Sequence, residues 1–444
     1  MREVRIRDTL SGEPRALDPA EEVGIYACGP TVYSRIHIGN ARPFVVFSLF
    51  ARFLRSEGYR TRLVVNVTDV NDKIYAAAAQ AGEPSAEFAA RMTRAYFEDS
   101  DRLGLGRPDA EPLASQTIAG IVALIADLVE SGHAYESGGD VYFRVRSFEG
   151  YGKLSNRRFE DMDQGEEAGS ASLKQDPLDF ALWKGHKEGE DTRWDSPWGP
   201  GRPAWHIECS VMAERELGAS FAIHGGGTDL VFPHHENEIA QSETAGRPFA
   251  RIWMHNGMVE ANAEKMSKSE GNIFQLSEAL DSYGSEAVVL YLISGHYRQP
   301  LAFGPEQMEQ AVARVERLRN FFREHTGGES SPDSRLDAFR EALADDFNTP
   351  RALAGLFELV GEVNRGKVSG AAQVVREMLE LVGLESLAQV EEVVDSEAES
   401  LMAEREVARA ERDFERADAI RDRLAALGWE VRDSAEGPRL VART

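Results

Sequence analysis

The sequence predicts an α/β protein with a parallel-sheet core, followed by an all-helical region and a small terminal hairpin. Three observations carry this. A strand at Val23 to Ala27, a helical pattern from Pro43 to Glu57 and a Val-rich strand from Arg62 to Val67 form a β-α-β unit, which implies parallel pairing. A second glycine turn opening onto a helix occurs at Gly225 to Gly227. From Pro305 onward only helical spacing is seen until Leu427 to Ala442, which reads as a β-hairpin.

At 444 residues, two to four domains are expected, and 42% hydrophobic content supports a real core. No apolar run approaches the roughly 20 residues needed to span a membrane. The start, Met1-Arg-Glu-Val-Arg-Ile-Arg7, lacks an apolar signal core, so a cytoplasmic protein is expected. The net charge of −25 argues against a broadly basic nucleic-acid binder, but a local positive face is all that binding needs. The two cysteines, Cys28 and Cys209, are expected to be reduced rather than bridged.

Taken in order, Arg5 to Leu10 reads as a short strand. The first strand of the core runs into Cys28-Gly-Pro and a second break at Gly39-Asn40, with a helix beyond. A helix start after a tight turn presents free N–H groups and positive dipole charge, which suits phosphate. Gly39 allows close approach, and His37 and Asn40 supply donors on the same turn. Asn66-Val-Thr-Asp-Val-Asn-Asp-Lys73 follows the next strand at its carboxyl end, where ligands bind in open α/β sheets, and also suits a cap for the helix Lys73 to Ala81. Ala86 to Leu103 and Ala114 to Ser131 are helical, Asp140 to Val145 is a strand, and Phe159 to Ser172 is an acidic exposed loop.

Farther along, Pro233 suits a first helical turn, and His234 and Glu238 stand four apart, on one helical face. Cys28, Cys209, His234 and Glu238 are candidate zinc ligands by type, although no close Cys-x-x-Cys pair supports them. As alternatives, His234 or His235 is a satisfied core residue and Glu238 a surface charge. Lys265 and Lys268 stand on a Ser/Gly-rich segment. Helices are expected over Pro305 to Glu324, Ser334 to Asp345, Pro350 to Asn364, Ala371 to Val382 and Val390 to Ala419. In the last, Arg405, Arg409, Arg412 and Arg416 recur at three- to four-residue spacing, interleaved with Glu404, Glu411 and Glu415.

His37-Ile-Gly-Asn40 and Lys265-Met-Ser-Lys-Ser269 resemble the two signatures of class I aminoacyl-tRNA synthetases. Cys28-Gly-Pro-Thr-Val-Tyr33, Asn66-Val-Thr-Asp-Val70, Trp205-His-Ile-Glu-Cys209, His224-Gly-Gly-Gly-Thr-Asp-Leu230, Phe232-Pro-His-His-Glu-Asn-Glu238 and Trp253-Met-His-Asn-Gly257 resemble, in order, the cysteinyl-tRNA synthetases. The likeness covers almost the whole chain. Its departures are Asn40, where the signature has His, and Asn71, where Asp is more frequent.

The resemblance implies a Rossmann-type core (residues 1–112 and 201–304) split by an inserted domain (113–200), a helical anticodon-binding bundle (305–400) and a small tRNA-binding module (401–444). It implies zinc on Cys28, Cys209, His234 and Glu238, one ion per chain, binding the substrate thiolate. ATP with Mg²⁺ would meet His37, Gly39, Asn40, Gly227, Asp229, Lys265 and Lys268. L-Cysteine would meet Cys28, Gly29, Thr68 and Trp205. The partner would be tRNA(Cys), and a monomer is expected. Serine is nearly isosteric with cysteine, and discrimination of ~10⁵ requires about 7 kcal/mol, which a soft metal can supply. The nearest alternative is the related ligase of mycothiol biosynthesis, which joins cysteine to an amino sugar.

Overall fold

A computed structural model describes residues 1–162, 172–261, 264–265, 274–325, 334–389, 396–434 and 437–442. The chain forms two compact units, Met1–Ala388 and Gln389–Thr444.

The first unit is organised by four parallel strands among the described residues: β1 (Val23–Ala27), β2 (Thr61–Val65), β3 (Ser220–Gly227) and β4 (Phe249–Asn256), in the order β4-β3-β1-β2. Every residue of β1 is buried, as expected of a central parallel strand covered on both faces. The chain leaves β1 for β2 on one side and comes back to β3 on the other, so the strand order reverses beside β1. Such a switch point opens a crevice at the carboxyl ends of the strands. The turns after β1 and β3, holding Cys28 and Thr228–Leu230, both start there.

Helix α1 (Ile38–Ser56) returns from β1 to β2 and buries Phe44, Phe47, Phe50 and Phe53. It packs so close to β3 that a Cβ on Gly225 would overlap the Phe47 ring. Its first turns are tied down by the buried Arg42, whose guanidinium donates to the carbonyls of Gly257 (2.7 Å), Met258 (3.1 Å) and His296 (3.2 Å). Burial lowers the Arg42 pKa to about 10.

Between β2 and β3 the chain adds helices Asp72–Ala81, Ser85–Asp101 and Ile118–Glu130 and an antiparallel meander. Its strands are Ala134–Ser137, Asp140–Phe143, Phe180–Gly185 and Gly201–Pro203. This layer has its own apolar core around Phe143, Phe180 and Trp183. Asp72 links it to the sheet end: its carboxylate accepts from Lys184 (2.7 Å) and from the buried Arg202. Helices α2 (Trp205–Leu217) and α3 (Glu236–Thr244) then flank β3.

Several expectations are adjusted. The opening strand is Arg5–Arg7, ending before the turn that the Asp8 carboxylate organises by accepting from Leu10 and Ser11. Pro233 does not open a regular helix. Phe232 is extended, a wide turn covers Val231–His235, and α3 begins at Glu236. The acidic loop after Phe159 lies largely outside the described residues.

Helices Pro305–Glu324, Ser334–Ala344, Thr349–Asn364 and Ala372–Leu381 pack on one another through residues such as Leu318, Phe339, Leu356 and Met378. In the second unit, Ser396–Ala410 and Phe414–Ala426 close on Ala398, Leu401, Ile420 and Leu424, and the hairpin is Trp429–Ser434 with Gly437–Ala442. The expected single helix through Ala419 is broken, because Arg412 takes a left-handed φ of 63° and Asp413 caps the next helix. The four arginines therefore do not share one helical face, and Arg405 is buried beside Glu406.

Candidate active site

His37 occupies the N-cap of α1. Its Nδ1 accepts from the Gly39 N–H (3.1 Å), while Asn40 Oδ1 accepts from the His37 N–H (3.2 Å). This reciprocal box fixes both side chains at the helix start, and α1 has no acidic residue in its first turn. A Cβ on Gly39 would press on the His37 ring at 2.9 Å, so glycine leaves the imidazole room to cap. An Nδ1 that accepts places the ring proton on Nε2, leaving Nε2–H as the donor.

A cleft of about 350 Å³ opens at this helix end. Of the expected site residues, Cys28, Gly29, His37, Gly39, Asn40, Trp205, Gly227 and Asp229 line it. Tyr33, Lys73, Asn256, Gly257 and Met258 also line it and were not among the expected ligand contacts. Asn256 ends β4, and Gly257 and Met258 follow it at the carboxyl end, so the strand order was the signal for them. Lys265 stands in the short strand Glu264–Lys265, whose backbone alone is described. Lys268 lies outside the described residues.

Behind the cleft is a buried group of donors. The Sγ of Cys28 is 3.7 Å from that of Cys209, 3.5 Å from His234 Nε2 and 3.8 Å from Glu238 Oε1. His234 Nε2, in the wide turn, and Glu238 Oε1, in the first turn of α3, are 3.1 Å apart. Both cysteines are free thiols. His235, outside the expected ligand set, points the same way, with Nε2 3.4 Å from Cys28 Sγ. Donor atoms of Cys28, His234, His235 and Glu238 all lie within 4.8 Å of one another, and Cys209 joins them through Cys28.

Three of the donors have a second contact. Glu238 Oε2 meets His224 Nε2 at 2.8 Å, His234 Nδ1 meets His206 Nδ1 at 2.9 Å, and His235 Nδ1 meets His255 Nε2 at 2.7 Å. Contacts of this kind orient metal-ligating side chains. Trp205 stacks on His234 with ring centroids 4.2 Å apart, forming the floor of the cleft. Thr68 is not on the cleft wall: it is buried, and its hydroxyl bonds Glu208 at 3.2 Å.

The charges divide within this dry pocket. Burial opposes ionisation of Glu238, but His224 and His234 hold its carboxyl down to about 2. Burial likewise opposes a charge on His234, yet Glu238 and Cys209 raise it to about 10. The Cys209 thiol is brought to about 6, burial being outweighed by the Cys28 hydrogen bond and His234. Burial pushes Cys28 up, and it pushes His206 and His235 down.

The donor set fits a tetrahedral soft-metal site. Zinc bonds of about 2.3 Å to sulfur and about 2.0 Å to nitrogen or oxygen imply edges of about 3.8 Å between sulfurs, about 3.5 Å between sulfur and the lighter donors and about 3.3 Å between those. The three distances from Cys28 and the one between His234 and Glu238 lie within about 0.3 Å of these edges, and the donors are thiol, imidazole and carboxylate.

Comparison with known proteins gives the same direction. Residues 16–313 match the family model for the tRNA synthetases class I (C) catalytic domain, 338–390 the DALR domain, and 392–437 the cysteinyl-tRNA ligase anticodon binding domain. The cysteine–tRNA ligase of Halorhodospira halophila is 46% identical, covering 98% of this chain and 99% of the relative. That of Azotobacter vinelandii is also 46% identical, covering 97% and 98%. Among solved structures, methionyl-tRNA synthetase of Mycobacterium tuberculosis bound to methionyl-adenylate shares the fold, with a TM-score of 0.61 at 15% identity over 82% of this chain and 88% of that one. The relatives and the terminal-domain match do not favour the amino-sugar alternative. With both class I signatures, the switch-point cleft and a full-length match at this identity, the chain belongs to the cysteine–tRNA ligases, ATP-dependent enzymes of the class I aminoacyl-tRNA synthetase family.

Proposed function

We propose that the enzyme selects L-cysteine through one zinc ion held by Cys28, Cys209, His234 and Glu238. The observation that carries this is the gathering of buried thiol, imidazole and carboxylate donors around Cys28, at separations close to the edges of a zinc tetrahedron. A zinc there supplies a soft Lewis acid that prefers a substrate thiolate to the neutral hydroxyl of serine. His206 and His224 hold the imidazole and carboxylate in register through their second contacts.

Above it, the N-terminus of α1 receives the ATP phosphates. His37 donates from Nε2, Gly39 gives the backbone access, and Asn40 donates through its amide while its oxygen keeps the cap. Asp229 beside Gly227 accepts from the ribose hydroxyls, and Mg²⁺ accompanies ATP. Gly29, Thr68 and Trp205 position the amino acid, Trp205 from the floor and Thr68 from behind it. The cysteine carboxylate oxygen bonds to the α-phosphorus as the bond to the bridging oxygen breaks and pyrophosphate departs. Lys265 and Lys268 neutralise the charge that grows on that leaving group. A ribose hydroxyl of the tRNA 3′-terminal adenosine then attacks the acyl carbon, and AMP leaves. A cytoplasmic monomer completes the reading. Among the described residues, no helix is long and apolar enough to cross a membrane.

The test is cysteine-dependent ATP–pyrophosphate exchange and charging of tRNA(Cys), with metal analysis of the same sample and serine as the competing substrate. Exchange by a protein freed of zinc, or equal use of serine, overturns the selection mechanism.

A further inference from the structure

We propose that Asn256 selects the nucleotide by its base, its side-chain oxygen accepting from the exocyclic amine of adenine. This rests on the ATP-dependent activation reading and adds to it a specificity-determining residue outside both signatures. Asn256 ends β4, is 2% exposed and lines the cleft. Its Nδ2 donates to the Gly257 carbonyl (3.1 Å), which settles the orientation of the amide. Oδ1 is therefore a buried acceptor, and it has no hydrogen-bond partner among the described residues. Of the described cleft-lining residues, only Tyr96 also has such an atom, its hydroxyl, and a group that can both give and take a hydrogen bond names no ligand. An oxygen that can only accept calls for a donor.

The segment that carries this acceptor is held rigid. The Gly257 N–H donates to the Tyr297 carbonyl (2.7 Å), and the Gly257 carbonyl also accepts from the buried Arg42 (2.7 Å). The Met258 carbonyl accepts from the Leu301 N–H (2.9 Å) and from Arg42 (3.1 Å). A Cβ on Gly257 would stand 2.3 Å from the Gln299 carbonyl oxygen, so this backbone lies directly against the next segment. A buried acceptor without a donor carries the full desolvation penalty of its oxygen. Fixed in this way, Oδ1 cannot turn to find a donor in the protein, and the substrate supplies it.

The strand order names the donor. On the reading above, the phosphates lie at α1, which follows β1, and the ribose meets Gly227 and Asp229 at the end of β3. Asn256 pairs in register with Gly227 on the outermost strand, one strand spacing of about 4.8 Å farther from β1. A nucleotide laid across the strand ends from β1 to β4 therefore brings its base to Asn256. Met258 offers that base an apolar contact, its Sδ lying 3.6 Å from where a Cβ on Gly227 would stand. Adenine presents an amine on its six-membered ring where guanine and hypoxanthine present an oxygen, which would face Oδ1 acceptor to acceptor. The cysteine ammonium is the poorer match. It is a cation, better served by a carboxylate, and the substrate thiol is placed at Cys28, after β1 and two strands away.

The experiment measures cysteine-dependent pyrophosphate exchange by the full chain, by Asn256→Ala and by Asn256→Leu, with ATP, purine riboside triphosphate, ITP and 2′-deoxyATP. Purine riboside triphosphate differs from ATP only in lacking the amine. The unaltered enzyme should show a kcat/KM for ATP at least about tenfold above that for purine riboside triphosphate, and a larger preference over ITP. In both variants the preference for the amine should fall to about twofold or less, through loss with ATP, while the ratio of ATP to 2′-deoxyATP and the KM for cysteine hold. Each ratio compares substrates on one protein, so a fraction of unfolded variant cancels. Variants that keep the preference for the amine overturn the proposal, as does equal use of ATP and purine riboside triphosphate by the unaltered enzyme. A change confined to the 2′-deoxyATP ratio overturns it by placing Asn256 at the ribose, and a rise confined to the KM for cysteine overturns it by placing Asn256 at the ammonium. An unaltered enzyme with no exchange at all would instead overturn the activation reading on which this rests.

Discussion

Glu238 and His37 both stand at helix starts beside the same cleft, but they are held in opposite ways. Glu238 is fully buried, and each carboxylate oxygen faces an imidazole. His37 is half-buried and fixed on one ring nitrogen by a backbone N–H. Water is excluded at the floor, so electrostatic interactions there are strong and donor chemistry decides what binds. The helix end is open, so position and direction matter more than donor strength. On the proposed reading, selection and catalysis fall in different dielectric surroundings within one cleft.

The sharpest break of this comparison is at the floor. Cys209→Ala should lose its zinc and lower cysteine-dependent exchange at least about a thousandfold, roughly 4 kcal/mol. His235→Ala should keep the metal. Metal analysis of the two proteins decides which fourth donor is used, and full occupancy in the Cys209 variant would remove Cys209 from the set. At the open end, Lys268→Ala should lower kcat for adenylation about a hundredfold, near 3 kcal/mol, with little change in KM for cysteine. Unchanged exchange kinetics would exclude that role.

A smaller effect is expected of Asn40→Ala. It removes one half of the capping box, a loss of about 1 kcal/mol, so kcat/KM for ATP should fall five- to tenfold, with zinc content intact. A metal-depleted variant would show that the floor and the helix end are not independent.

The smallest effect concerns Asp72. Burial works against its charge, but Arg202 and Lys184 hold its carboxyl below the usual range. A folded pKa below the unfolded value of about 3.9 stabilises above that value and is lost as pH falls through the folded pKa. Asp72→Asn should therefore melt about 2–4 °C lower at pH 7, the shift that ~1 kcal/mol gives in a large domain. The difference should shrink as pH falls below the unfolded value and vanish once the folded carboxyl is itself protonated. A difference independent of pH would mean that packing, not charge, makes the link.

Much of this was legible in the chain because the chemistry sits on local patterns. The β-α-β unit, the glycine turns and the His234–Glu238 spacing are short-range, so periodicity exposes them. The joining of Cys28 to Cys209 is not, because 181 residues separate them and only the pairing of β1 with β3 brings their segments together. His235 was hidden for another reason. A regular helix from Pro233 would send adjacent residues about 100° apart, but the wide turn at Val231–His235 lets both histidines face Cys28. The break at Arg412 was masked by a charge pattern that continues through it.

The start of α3 is read by two neighbours at once. Glu238 faces the metal donors, while the Glu236 carboxylate accepts from the N–H groups of Gly152 (2.9 Å), Leu154 (3.3 Å) and Ser155 (2.8 Å), and Asn237 accepts from Tyr151. For sequence change this makes the segment tolerant in one way and intolerant in another. A substitution at Glu236 can loosen the inserted layer and leave the donors in place. A single-residue deletion after His235 turns everything beyond it by about 100°. It would take Glu238 from the pocket and the tether from its loop in one event, so length here is under stricter control than composition.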